Sequence, residues 1–174
     1  MAYCRFSSAL LLSVLIVFSP LQAAQTSTLK QHVTQGAVAS PDQYGALVAE
    51  QILRKGGNAV DAAIATAFTL AVTYPEAGNI GGGGFMLVWF DGKPYFLDYR
   101  ETAPAAAHKD MFLDADKQVV KNLSLIGHQA SGVPGTVMGL WLAHKKFGSL
   151  PWQDLVAPAI HYAETGFIVA ENQY

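Results

Sequence analysis

Four consecutive glycines, Gly81 to Gly84, stand directly ahead of an apolar stretch. Glycines in front of a regular element are one way to build a phosphate site, because backbone N–H groups can then face the anion. That chemistry also needs a helix N-terminus behind the glycines, and for a nucleotide loop a Lys-Ser or Lys-Thr after them. Neither is present, since Gly84 opens the strand-like run Phe85–Phe90. The glycines are therefore expected to remove side chains where backbones pass closely, or to permit positive φ. Further on comes the charged run Asp98-Tyr99-Arg100-Glu101. Arg offers a planar fork that can pair with a carboxylate through two hydrogen bonds. At the end of a strand it could project into a cleft. Read from the residues alone, an internal ion pair between Arg100 and Asp98 or Glu101 is the favoured reading. The five histidines, His32, His108, His128, His144 and His161, show no metal-ligand spacing. Ser131 lacks the preceding glycine of a nucleophile elbow.

The elements that must position these residues are legible in part. Gly36–Ala39 is a short apolar strand candidate. Ser40, Pro41 and Gln43 look like the start of a capped helix with Tyr44, Leu47, Val48 and Ile52 on one stripe, stopped by Gly56-Gly57. Asn58 can cap a second helix, with Asp61 three residues later near the positive end of its dipole and Val60, Ile64, Ala67, Phe68 and Ala71 as its stripe. This helix is apolar all round, so it is expected to lie buried between layers and to end before Pro75. Phe85–Phe90, the turn signal Asp91-Gly92 and Pro94–Tyr99 predict a hairpin. Residues 101–130 show no clear element. Gly132–Gly135 lead into a helix with Val137, Leu140 and Trp141 on one face, ending at Phe147-Gly148. A last helix covers about Trp152–Glu164. Strand, two helices, hairpin and helices suggest helices layered on an antiparallel sheet.

Residues 1–24 read as a secretory signal: Arg5 is the only charge, Leu10–Phe18 is apolar but too short to span a bilayer, and Gln22-Ala23-Ala24 offers small residues for cleavage. The predicted location is the periplasm or the cell exterior. Residues 25–35 are polar and linker-like, and residues 36–174 form the folded region. Cys4 is the single cysteine and falls within the signal, so no disulfide or cysteine-ligated metal is expected after cleavage. The chain has 11 basic and 13 acidic residues, and removing Arg5 leaves ten against 13, a formal charge of −3. No basic patch marks a nucleic-acid partner, and no later stretch suits a membrane span.

Three motifs occur in order: G-G-N-A-x-D-A-A at Gly56–Ala63, G-G-G-G-F-M at Gly81–Met86 and R-E-T-A-P at Arg100–Pro104. With the surrounding sequence from about Gln35 onward, they closely resemble the N-terminal part of the large subunit of the γ-glutamyltranspeptidase, or glutathione hydrolase, family. The resemblance implies an α+β fold, the four-layer αββα sandwich of N-terminal nucleophile hydrolases, with only part of it in this chain. It implies a precursor that cuts itself into a large and a small subunit. The new N-terminal Thr of the small subunit attacks the γ-amide carbon of glutathione, and its own α-amine can serve as the base. The γ-glutamyl group then passes to water or to the amine of an amino acid or peptide. No cofactor is expected. The nucleophile, the self-cleavage site and the oxyanion glycines belong downstream in that family. No catalytic residue is therefore expected in this chain, and alone it is expected to be inactive. The resemblance assigns Arg100 to the α-carboxylate of the γ-glutamyl group, reversing the reading from the residues alone, and Glu101 to the support of Arg100. Two alternatives stand beside it: an inactive truncated product acting at most as a binding partner, and a related hydrolase such as a cephalosporin acylase or a poly-γ-glutamate hydrolase.

Overall fold

The computed structural model describes residues 36–169. The expected signal over 1–24 and the linker over 25–35 lie outside the described residues, as do residues 170–174. The chain forms helix α1 (Gln43–Arg54), helix α2 (Ala59–Thr73), strands β1 (Phe85–Phe90) and β2 (Lys93–Asp98), helix α3 (Thr136–Phe147) and helix α4 (Trp152–Thr165). A single 3-10 turn, His128–Ala130, interrupts the long loop before α3.

The expected strand at Gly36–Ala39 is not formed. A strand needs a neighbour to take its N–H and C=O groups, and the sheet of the described residues pairs β1 with β2 alone. The cap of α1 is also not Ser40. Asp42 takes that place, and its carboxylate accepts from Gly45 N–H at 2.6 Å. A charged acceptor at the positive end of the helix outcompetes the neighbouring hydroxyl. The buried line of α1 runs through Gly45, Val48, Ala49 and Ile52, whereas Leu47 faces outward. Gly45 makes room for the cap and for α2: a Cβ there would lie 2.5 Å from Ser40 Oγ, 3.0 Å from Asp42 Oδ1 and 3.2 Å from Leu70 Cδ2. The glycine stop is as expected. Gly57 N–H donates to Ile52 O and Gly56 N–H to Leu53 O, both at 3.0 Å, with Gly56 at φ +88°. These are the two bonds of a Schellman ending.

Helix α2 sits centrally, packed against α1, α3 and α4. Along it only Ala59 and Ala63 are exposed, in keeping with its apolar circumference. Asn58 and Asp61 form a complete capping box: Asn58 Oδ1 accepts from Val60 and Asp61 N–H at 2.9 and 3.0 Å, and Asp61 Oδ2 accepts from Asn58 N–H at 2.9 Å. The box extends beyond its own helix. Asn58 Nδ2 donates to Phe147 O at 2.6 Å, at the end of α3. Asp61, with no exposed surface, also accepts from Ser149 N–H at 3.1 Å and from the Ser149 hydroxyl. One buried carboxylate thus joins the start of α2 to the turn between α3 and α4.

The hairpin has the predicted turn. Asp91 and Gly92 both take positive φ, 49° and 72°, which suits the right-handed twist of the strands. Met86 pairs with Leu97 and Val88 with Tyr95 on the face toward the helices. Tyr95 and Phe90 pack edgewise and tilted on Phe147, with ring centroids 5.0 and 5.3 Å away. On the opposite face Leu87 pairs with Phe96. These two residues and Trp89 are 78%, 64% and 73% exposed. The inner face of α3 differs in part from the sequence pattern: Gly139, Leu140, Ala143 and Phe147 are buried, Leu140 as expected, while Val137 and Trp141 are 44% and 39% exposed. Small residues at 139 and 143 let the helix approach the end of β2 closely.

Replacing Asp61 with Ala removes the buried acceptor shared by three donors, the Asn58 N–H and the Ser149 N–H and hydroxyl. The expected loss of unfolding free energy is about 3 kcal/mol. Chemical denaturation measures it, and a change below about 0.5 kcal/mol would show that the carboxylate joins nothing of consequence.

Candidate functional site

Beyond the last strand residue the hairpin ladder gains one more pair. Tyr99 N–H donates to Gly84 O at 3.0 Å and Gly84 N–H to Tyr99 O at 3.3 Å. Three residues later the chain is tied on its other side. Thr102 and Val133 exchange two backbone bonds, 3.2 and 2.8 Å. Arg100 and Glu101 therefore lie on a short extended segment anchored at both ends, with the glycines before β1 on one flank and the approach to α3 on the other.

The glycine quartet builds this seat. A Cβ on Gly83 would stand 2.6 to 2.8 Å from Tyr99 O, Glu101 N and Arg100 C, so no larger residue fits against the segment. The carbonyl of Gly82 accepts from Gly135 and Thr136 N–H at 2.8 and 3.1 Å. It thereby takes up two of the N–H groups at the start of α3. The quartet positions the chain and offers no phosphate cradle.

Arg100 extends outward from the segment. Its backbone N–H donates to Asp98 Oδ1 at 3.1 Å. Its Nε donates to Glu101 Oε2 at 3.0 Å, with the two side chains 62% and 36% exposed. The ion pair read from the sequence is thus present, with Glu101 as the partner, while Asp98 takes the backbone. A pair this exposed adds little to stability. Its effect is directional: with Nε engaged, the terminal Nη atoms have no hydrogen bond among the described residues and face outward. Phe85 lies beneath, its ring centroid 5.8 Å from Arg100 Cζ.

The Glu101 carboxyl is held below its ordinary range, first by its own backbone N–H, then by the charge and hydrogen bond of Arg100 and by the Gly83 N–H, against burial that pushes it up. A depressed acid pKa means the favourable pairing is present above the unfolded-state value and is lost as pH falls through the folded-state value. The Arg100–Glu101 pair should therefore persist through the usual carboxylate range and break only below it. Carbon-detected NMR titration of Glu101 should give a midpoint under the reference value of about 4.3, and a midpoint at or above it would contradict this electrostatic picture.

Sequence reasoning missed Tyr99 and Ser149. His32 lies outside the described residues, and among the described residues no three metal-ligating side chains cluster. His144 is engaged instead, its Nε2 2.7 Å from Leu150 O and its ring clustered with those of Trp141 and Trp152. Glycines at 135 and 139, one helical turn apart, were the signal that a bulky neighbour lies against α3.

Helices laid on one face of an antiparallel hairpin, with a charged segment at its end, make this an α+β arrangement. A family model described as Gamma-glutamyltranspeptidase matches residues 45–174, and the chain belongs to that family. It is 66% identical over 154 residues to the glutathione hydrolase proenzyme of Pseudomonas aeruginosa, an alignment covering 88% of this chain and 28% of that one. Among solved structures it is similar to the γ-glutamyltranspeptidase of Pseudomonas nitroreducens complexed with L-DON, at 70% identity and a TM-score of 0.76, covering 81% of this chain and 42% of that one. A more distant likeness is the cephalosporin acylase of Bacillus halodurans, at 35% identity and a TM-score of 0.65, covering 74% of this chain and 24% of that one. The chain thus spans between about a quarter and two fifths of the length of these relatives.

Proposed function

We propose that this chain supplies the γ-glutamyl-binding part of an enzyme that hydrolyses glutathione and transfers its γ-glutamyl group to amino acids or peptides. The observation that carries this reading is Arg100: an outward guanidinium on a segment anchored at both ends, with Nε held by Glu101 at 3.0 Å. That arrangement leaves the Nη pair to take the α-carboxylate of the substrate end-on. Glu101 supports the Arg and touches no substrate. The names of the similar proteins, glutathione hydrolase and γ-glutamyltranspeptidase, support the substrate class. The nucleophile is a Thr at the start of a small subunit cut from the same precursor, and the word proenzyme in the relatives' names supports that processing. Residues 1–24 direct the protein to the periplasm or the exterior.

A cephalosporin acylase is the second reading, favoured by the likeness to the Bacillus halodurans enzyme. An Arg in this position would also hold the terminal carboxylate of a glutaryl side chain. Comparing γ-glutamyl and glutaryl amides, which differ in the α-amine, separates the two activities.

In the full-length protein, Arg100→Lys replaces a fork by a point charge. KM for a γ-glutamyl anilide should rise about tenfold, with kcat changed less. Steady-state kinetics checks this, and an unchanged KM removes Arg100 from the site.

A further inference from the structure

Tyr99 stands immediately before Arg100, and the glycines of two separate elements are arranged around it. A Cβ on Gly84 would lie 2.9 Å from its ring carbon Cε2. One on Gly139 would lie 2.1 Å from its Cγ and 2.3 Å from its Cβ, and one on Gly135 would lie 2.0 Å from its carbonyl oxygen. The ring therefore fills the volume that side chains on the β1 approach and on α3 would occupy. Two backbone bonds to Gly84, 3.0 and 3.3 Å, hold the main chain of the same residue. Yet Tyr99 is only half-buried and stands outside the hydrophobic cluster shared by the helices and the inner hairpin face. The hydroxyl contributes little, since its bond to Phe85 O is 3.4 Å long. Burial pushes the phenol pKa up, so the ring stays neutral.

We infer that Tyr99 is a positioning residue for Arg100: its ring, locked between Gly84 and Gly139, fixes where the guanidinium leaves the sheet. This rests on the proposal that Arg100 holds the α-carboxylate. A misplacement near 1 Å at such a clamp is enough to weaken binding and orientation severely. The shape of the ring, and not its hydroxyl, is what matters.

The test uses the full-length protein and two substrates, γ-glutamyl p-nitroanilide and 4-aminobutyryl p-nitroanilide, which differ only in the α-carboxylate. The readout is the ratio of their kcat/KM values, with KM and kcat resolved for the first. Tyr99→Phe should keep KM within about twofold of the parent. Tyr99→Leu should raise KM for the γ-glutamyl substrate about tenfold, with kcat within about threefold, and should leave the substrate without an α-carboxylate unaffected. In an Arg100→Ala background Tyr99→Leu should add nothing to the loss of discrimination. If Tyr99→Leu fails to fold, Gly84→Ala displaces the ring without removing it and should lower the ratio about threefold. Arg100→Ala collapsing the ratio while Tyr99→Leu, or Gly84→Ala in its place, leaves it unchanged overturns the inference and keeps the functional proposal. A ratio unchanged in Arg100→Ala overturns both.

Discussion

Atoms larger than hydrogen cannot stand between the segment 99–101 and the backbones that flank it. At Gly83 a Cβ would lie 2.6 Å from Tyr99 O, and at Gly135 it would lie 2.0 Å from the same atom. This steric exclusion brings three pieces of chain together that are far apart in sequence: the glycine quartet, the end of the hairpin and the start of α3. With the side chains gone, backbone bonds form across both gaps, from Gly84 to Tyr99 and from Gly82 to Gly135 and Thr136. The exit point of Arg100 follows from that contact. A long, flexible side chain is thereby mounted on a short, rigid base, which lowers the entropic cost of using it to bind.

The second constraint lies at the other end of α3. Asp61 and Asn58 complete the cap of α2 and also hold Phe147 O and Ser149. Helix α3 is thus fixed at its start by Gly82 O and at its end by the capping box of α2. Between the two ends, Leu140, Ala143 and Phe147 join the buried core. The outer hairpin face behaves differently. Phe85, Leu87, Trp89 and Phe96 are exposed together, with the Phe85 and Phe96 rings stacked at 5.7 Å. The relatives are longer chains, and this one spans only part of them.

Local signals in the sequence were read correctly where the partner lies nearby in the chain. The Asn58 cap, the Gly56-Gly57 stop and the Asp91-Gly92 turn each depend on residues within a few positions. The α1 cap was read at Ser40 rather than Asp42 because both residue types suit it, and only the reach of the carboxylate to Gly45 decides. The buried faces of α1 and α3 are legible only in part: Val48, Ile52 and Leu140 are buried as expected, but Leu47, Val137 and Trp141, equally apolar, are not. The close approaches on those faces, at Gly45 and Gly139, involve Leu70 and Tyr99. The strand at 36–39 was expected from composition, but composition cannot provide a pairing partner. At the site, Arg100 was singled out by residue type and then by resemblance. Tyr99 went unnoticed because an aromatic at the end of a strand looks like ordinary packing, and its glycine seats lie on two other elements.

The most direct test of the account is a crystal structure of the full-length protein with a γ-glutamyl compound bound. The α-carboxylate should lie about 2.7 to 2.9 Å from the Nη atoms of Arg100, with the Nε bond to Glu101 retained. A carboxylate held by other residues, with Arg100 turned to solvent, would contradict the claim that this segment exists to present a carboxylate-binding fork.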